Sequence, residues 1–216
     1  MIGQILYALP FLWHGFLITL AVSGLVVVIS LVVGVALGVG LVYGPLPLRL
    51  AVRIFSDTIR GIPILVLIFF VYYGLPAIGL QLDAFAAAVL ALTLFKVAQV
   101  VEYVRGAIAS IPAGQAEAAK AIGLTFAARL RYVIFPQATR RFLPPFVNGV
   151  TDAVKGSALV SLLGVTDLMH AINQVIGRTY DALPLYLLGA VIYFLVNYAL
   201  SSLSRRLERR YAFIRE

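Results

Sequence analysis

The chain has 216 residues, of which 62% are hydrophobic and only 12% are charged, and its net charge is +8. Soluble globular domains carry about a quarter charged residues, so the composition excludes that class and predicts an all-α integral membrane protein. A span needs about 20 apolar residues, so the length allows about five or six spans and no soluble catalytic domain.

Five apolar segments follow one another along the chain, and we predict that each spans the membrane. The first, residues 15–47, contains no charge, and no Lys or Arg precedes it to form the basic start of a signal peptide. The others are residues 61–82, 84–101, 142–164 and 182–204. Charges within the fourth segment are expected to face a cavity or a partner helix and not lipid. The five spans form one domain, residues 1–216.

The basic residues are unequally distributed between the connections. Lys and Arg gather around the first and third connections and in the tail, whereas the second and fourth carry Asp83, Asp167, Arg178 and Asp181. Because Lys and Arg concentrate in cytoplasmic loops, we predict an external amino terminus and a cytoplasmic tail. Four or six spans would put basic clusters on both faces. The net charge then reflects topology and contact with anionic lipid headgroups, and no nucleic-acid partner is predicted.

The sequence offers little for covalent or metal chemistry. It contains no Cys, and His14 and His170 are too far apart in sequence to suggest a zinc site. It also lacks the Gly-x4-Gly-Lys-Ser/Thr loop that holds ATP phosphates. We predict no catalytic residue, no metal site and no cofactor bound by this chain.

The chain has no evident internal repeat, although many secondary transporters carry two inverted halves. A chain this short is expected to complete its pathway by pairing with a second subunit. In the first span, the Gly34-x3-Gly38 spacing permits close helix approach. The spacing leaves open whether the approaching helix belongs to the same chain or to a second subunit.

A polar segment, residues 115–136, separates the third and fourth spans and reads QAEAAKAIGLTFAARLRYVIFP. Ala118, Ala119 and Ala121 offer a smooth helical surface for close approach of another backbone, and Glu117 supplies an acceptor for a partner's Arg or Lys. Gly123 permits a turn that ends the helix. The plainer alternative is an amphipathic surface helix that only joins two spans.

The spacing of this segment resembles a known signature. Glu117-Ala118-Ala119, the glycine four positions past Ala119, and the later Val133 and Phe135-Pro136 resemble the EAA element of ABC-importer membrane subunits. In that family the element forms a cytoplasmic coupling helix that docks into an ATPase subunit. The resemblance implies that Glu117, Ala118, Ala119 and Gly123 couple this chain to the ATPase.

Further motifs are similar to one branch of that family, the polar amino acid permeases, which include histidine, arginine, glutamine and glutamate permeases. They are RGIP at 60–63, FFVYYGLP at 69–76, EYVRGAI at 102–108, PQA at 136–138, LPP at 143–145 and LVS at 159–161. The resemblance implies a type I ABC importer transmembrane domain with five helices plus the coupling helix, in the bacterial cytoplasmic membrane. It also implies a second permease copy or paralogue, two ATPase subunits that bind ATP-Mg, and an extracytoplasmic amino-acid-binding protein.

Polar side chains inside the spans form two stripes at helical spacing. Lys96 and Gln99 share a face of the third span with Glu102 at its border, and Asp152 and Lys155 share a face of the fourth. Facing stripes would bind the ammonium and the carboxylate of an amino acid. Alternatively, the charges neutralise each other and only hold the bundle together. The residues predicted to line the substrate pathway are Lys96, Gln99, Glu102, Asp152, Lys155 and Ser157.

One departure from the branch pattern bears on the substrate. Relatives often read Lys-Asp-Thr-Ser-Leu-Val where this chain reads KGSALV at 155–160, so an acid is absent, and Lys96 is an unusual base. The two changes favour an acidic or neutral polar amino acid over arginine or lysine.

Two other classes, a channel or secondary transporter and a membrane scaffold, fit the hydropathy but leave the EAA element unexplained.

Overall fold

A computed structural model describes the backbone of residues 2–211 and the side chains of residues 8–206. All regular structure in this range is helical. The helices are α1 (Ile2–Tyr43), α2 (Leu46–Gly61), α3 (Ile64–Phe69), α4 (Ala84–Ala109), α5 (Ala113–Ala121), α6 (Phe126–Arg129), α7 (Phe135–Gly156), α8 (Leu168–Thr179) and α9 (Ala182–Tyr211). Three elements are extended by tighter or wider turns: α3 continues to Ile78, α6 joins α7 through a π-helical turn, and α7 continues as a 3-10 helix to Leu163.

Three helical segments are long and apolar enough to cross a membrane: Ala8–Tyr43, Ala84–Ala109 and Ala182–Arg206. Two bent pairs also meet the criteria of length and composition. One is α2 with Ile64–Ile78, bent by 107°, and the other is Phe126–Leu163 with α8, bent by 49°. Counting each bent pair as one span gives five, in agreement with the predicted number.

The predicted bounds of the second and fourth segments need correction. The second begins at a break, because Pro63 follows Ile62, which takes the extended backbone conformation that proline imposes on the residue before it. The helix of the fourth segment, α7, already begins at Phe135, inside the segment predicted to be the polar connection. Pro136 occupies the first turn of that helix, where its missing N–H costs no hydrogen bond.

The core forms where α1 packs along α4. A Cβ atom placed on Gly34 would lie 2.6 Å from Cβ of Val100, and one placed on Gly38 would lie 2.6 Å from Cβ of Val104. The Gly34-x3-Gly38 spacing therefore serves packing inside the chain, which decides between the two alternatives. The face of α4 toward α1 is lined by branched side chains that are buried, including Val97, Val100 and Val101.

Large apolar side chains remain exposed on the outward faces of α1 and α9. Val28, Val32 and Phe194 are each more than half exposed. In water such surfaces would be unfavourable, but in a bilayer lipid chains cover them. The exposed faces therefore agree with the membrane class that the composition predicts.

Candidate coupling and translocation sites

The coupling segment ends at a left-handed glycine turn. Gly123 has φ of +81°, the N–H of Leu124 donates to the carbonyl of Ala119 at 3.1 Å, and the N–H of Gly123 donates to the carbonyl of Lys120 at 3.0 Å. This pair of bonds is a Schellman motif, which satisfies the last carbonyls of α5. The helix-ending turn predicted at Gly123 is present.

The outer face of α5 carries Glu117, Ala118 and Ala121, all exposed. Just beyond the helix, Ile122 is 78% exposed. Ala119, in contrast, is only 4% exposed. Ala119 is therefore not on the exposed face of α5, because helical periodicity turns it inward with Ala116, and its part in coupling stays a prediction. Sequence reasoning missed Ile122, although an apolar side chain beside the helix-ending glycine was a usable signal.

Contacts with three helices hold the coupling segment in place. Ala116 of α5 packs against a buried apolar cluster formed by α4 and α7. Beside it, the guanidinium of Arg141, on α7, donates to the carbonyl of Ser110, just beyond the end of α4. The ring of Phe126 meets that of Tyr43, at the end of α1, edge to face with centroids 5.6 Å apart. A displacement of α5 and α6 would therefore act directly on the ends of α1, α4 and α7.

Lys96 lies in the middle of α4 and is only 5% exposed. Its Nζ donates to Oε1 of Gln99 at 2.6 Å. These two residues and Asp152 line a cavity of about 60 Å³ between α1, α3, α4 and α7. The remaining lining residues are Val26, Ile64, Leu92, Phe95, Ala153 and Gly156. A cavity of this size holds a few waters and no amino acid.

The close approach of α7 to α4 depends on Gly149. A Cβ placed there would lie 3.2 Å from Cε2 of Tyr103 and 3.6 Å from Nζ of Lys96. Gly149 thus gives the lysine head and the tyrosine ring their room beside α7. Gly149 was not among the predicted site residues, although it lies on α7 one turn before Asp152.

The two charged residues of the cavity do not pair with each other. Nζ of Lys155, one turn along α7, lies 3.8 Å from Oδ1 of Asp152, and both side chains are mostly exposed. In the part of the chain that the structure describes, Lys96 has only the amide oxygen of Gln99 as a hydrogen-bond partner. A buried ammonium with a single neutral acceptor has unused hydrogen-bonding capacity for an anionic group.

Three of the six predicted pathway residues lie outside this cavity. Glu102 accepts bonds from Arg105 at 2.8 Å and pairs with Arg60, at the end of α2, at 3.8 Å. The hydroxyl of Ser157 is buried and donates to the carbonyl of Val154 at 2.8 Å. Lys155 lines a different cavity, of about 310 Å³, with residues of α8 and α9. Of the six predicted pathway residues, only Lys96, Gln99 and Asp152 line the same cavity.

Asp167 forms a second buried polar site, although the sequence predicted it only as a charged residue of the fourth connection. Asp167 is fully buried, and its Oδ1 accepts the N–H of His170 at 2.9 Å, which caps α8. A Cβ on Gly15 would lie 2.7 Å from the carbonyl oxygen of Asp167, so α1 approaches this cap closely. An Asp directly before an amphipathic run was the signal that predicts such a cap.

No group of three His, Cys, Asp or Glu side chains among the described residues is arranged to hold a metal ion. The polar groups that the structure brings together are hydrogen-bonding and ion-pairing groups.

The family model described as "Binding-protein-dependent transport system inner membrane component" matches residues 30–213. The chain belongs to this family of membrane permeases. Its membership confirms the resemblance inferred from the EAA element and from the motifs of the polar amino acid branch.

Relatives of this permease are similar over nearly their whole length. The "Probable glutamine ABC transporter permease protein GlnP" of Bacillus subtilis is 39% identical over 206 residues, which cover 94% of each chain. The "Glutamine transport system permease protein GlnP" of Escherichia coli K12 is 36% identical over 205 residues, again 94% of each chain. The "Arginine transport system permease protein ArtQ" of Bacillus subtilis is 32% identical over 203 residues, 94% of this chain and 93% of that one.

Solved structures give the same result for the fold. An amino acid ABC transporter crystallised with histidines superposes with a TM-score of 0.91 at 33% identity, over 97% of both chains. The MetNI methionine ABC transporter, in inward-facing conformations, gives a TM-score of 0.72 at 22% identity, over 91% of this chain and 96% of that one, which supports the fold alone. The chain is an amino acid ABC transporter permease subunit with the type I importer fold.

Proposed function

We propose that this permease imports a polar amino acid by alternating access, driven by ATP hydrolysis in two separate ATPase subunits that bind ATP-Mg. An external binding protein delivers the substrate, and a second permease copy or paralogue completes the pathway. The amino terminus lies outside and the tail in the cytoplasm. The observation that carries the proposal is the Gly123 turn, which ends α5 and leaves Glu117, Ala118 and Ile122 exposed for a partner.

The mechanical connection from α5 to the bundle supports coupling through the EAA segment. Ala116 of α5 packs against the apolar cluster formed by α4 and α7, and Phe126 of α6 contacts the end of α1. Helices α1, α4 and α7 are three of the four helices that surround the cavity at Lys96. A rigid shift of α5, driven by ATPase closure, would change the packing of all three helices and so open or close the cavity.

The chemistry of the cavity supports a substrate with a carboxylate and a neutral or acidic polar side chain. The buried Lys96 ammonium would bind an anionic or carbonyl oxygen, Gln99 would bind an amide or ammonium group, and Asp152 would bind the substrate ammonium. The cavity of about 60 Å³ would have to open to admit an amino acid, and the polar groups of glutamine match this set. The glutamine names of two relatives are consistent with it.

The test is transport by the reconstituted complex. The permease would be incorporated in vesicles with its ATPase and binding protein, and uptake of labelled glutamine, glutamate, arginine and histidine would be compared with and without ATP. We expect ATP-dependent uptake of glutamine or glutamate that is lost when the ATPase is omitted. Uptake that persists without ATP and follows an ion gradient would contradict the proposal and favour a secondary transporter.

A further inference from the structure

The exposed side of α2 carries two parallel stripes of different chemistry. Leu46, Leu50 and Ile54 repeat at every fourth residue and are 65%, 51% and 66% exposed. Arg49 and Arg53 follow the same spacing beside them and are also exposed. The opposite side of the helix packs on α4, where the hydroxyl of Ser56 donates to the carbonyl of Ala98 at 3.1 Å.

The stripes border a cavity where α1 meets α2. Its volume is about 100 Å³, and it is lined by Leu41, Leu46, Arg49, Leu50 and Arg53. Leu41 forms its buried wall, with 4% exposure. Within the described residues, neither guanidinium pairs with a carboxylate. Two unpaired arginines one turn apart offer a pair of fork-shaped donors suited to a phosphate group.

The position of the cavity fits the edge of the bilayer. The apolar segment of α1 ends at Tyr43, and α2 begins at Leu46. The following half-span is bent away from α2 by 107°, so α2 does not continue the direction of that span. Arg49 and Arg53 therefore follow the apolar part of a spanning helix within three turns, and charged residues just beyond such a segment are expected at the level of the lipid headgroups.

We propose that this surface of α2 is a binding site for an anionic phospholipid. The lipid phosphate contacts Arg49 and Arg53, and an acyl chain lies along Leu46, Leu50 and Ile54. A soluble phosphate or an acidic protein surface would use the arginines but would leave the apolar stripe uncovered. An amphiphile with an anionic head covers both stripes at once.

The experiment uses the full-length subunit in detergent, incubated with an equimolar mixture of phosphatidylglycerol and phosphatidylcholine. Native mass spectrometry then measures the ratio of bound phosphatidylglycerol to bound phosphatidylcholine. We expect a ratio well above one, reduced about fivefold by Arg49→Gln or by Arg53→Gln, which corresponds to about 1 kcal/mol for each basic residue. The double variant should show a reduction of about 25-fold.

Arg205→Gln combined with Arg206→Gln is the matched control, because it removes the same charge from exposed arginines at the far end of α9. It should leave the ratio unchanged. Leu50→Asn keeps both arginines and should reduce retention of both lipids, which tests the apolar stripe separately.

Several results would overturn the proposal. A ratio near one for the unmodified subunit, or an equal loss in the control, would leave no specific site on α2. Competition by inorganic phosphate or glycerol phosphate as strong as that by the lipid would assign the arginines to a soluble anion. If Arg49→Gln or Arg53→Gln abolished pairing with a second subunit or with the ATPase but left the lipid ratio unchanged, the surface would be a protein interface.

Discussion

Nζ of Lys96 lies 2.6 Å from Oε1 of Gln99, one turn farther along the same buried face of α4. This contact replaces the ion pair with Asp152 that the sequence left open as a structural alternative. An ammonium in the middle of a bundle costs several kcal/mol unless it is paired or wet, and one amide oxygen satisfies only one of its three protons. The remaining two protons are available to a ligand.

The first prediction concerns Lys96 as a substrate contact. Lys96→Met should reduce substrate uptake about 10- to 100-fold, because a hydrogen bond between charged groups contributes about 1.5–3 kcal/mol. The free energy of unfolding should stay equal or rise, since a buried charge is replaced by an apolar side chain of similar length. The measurements are uptake in vesicles and thermal unfolding. Arg178→Met, at an exposed position on α8 outside the cavity, is the control.

A fall in stability with Lys96→Met that Asp152→Asn restores would contradict this prediction. That outcome would mean that the two charges hold the bundle together in the membrane, and Lys96 would lose its place as a dedicated substrate contact.

The second prediction concerns helix packing at Gly34. Gly34→Ala places a Cβ 2.6 Å from Cβ of Val100, so α1 and α4 must separate, and we expect a loss of about 1–3 kcal/mol in the free energy of unfolding. Val100→Ala should restore only part of this loss, because it leaves the Cβ of residue 100 in place. Gly24→Ala is the matched control on α1, since nothing lies within 4 Å of its added Cβ. Equal effects at both glycines would contradict the packing argument.

The third prediction concerns the turn after α5. Gly123→Val should cost about 1–2 kcal/mol in the local turn, because φ of +81° strains any side chain and especially a β-branched one. ATPase association or substrate-stimulated ATP hydrolysis should fall while insertion in the membrane is retained. Gly177→Val, at a glycine of ordinary φ with open space around it, is the control. Undisturbed uptake by a Gly123→Val, Glu117→Lys double variant would remove the coupling role.

The fourth prediction separates Glu102 from the pathway. Glu102 pairs with Arg60 and Arg105, whose side chains are 43% and 44% exposed, so solvent screening limits each pair to about 0.2–1 kcal/mol. Glu102→Gln removes both pairs and should therefore change stability by no more than about 2 kcal/mol and leave substrate preference unchanged. A double-mutant cycle with Arg60→Gln measures the coupling energy across α2 and α4. A changed substrate preference would return Glu102 to the substrate pathway.

The fifth prediction concerns orientation. The sequence has no native Cys, so a single introduced Cys reports one site only. A membrane-impermeant thiol reagent should label Gln81→Cys from outside intact cells and should not label Lys120→Cys. Because both positions are exposed in the subunit, a difference in labelling reports the side of the membrane and not burial. Labelling of Lys120→Cys from outside would reverse the topology.

Features that depend on composition and short spacings could be read from the sequence alone. The membrane class follows from 62% hydrophobic residues, and family membership follows from motifs whose residues lie within one or two turns of each other. The turn at Gly123 was also predictable, because only a local backbone conformation has to be satisfied there.

Contacts between helices were decided by the tertiary structure. Helical spacing placed Lys96 and Glu102 near one face of α4. Only the packing of α2 against α4 brings Glu102 to Arg60, and only the packing of α7 places Lys96 in the cavity beside Gly149. In the same way, Ala119 lies within the EAA element but is turned toward the bundle. Periodicity fixes which residues share a face, whereas the rotation of that face and its neighbours depends on side-chain packing between segments far apart in sequence.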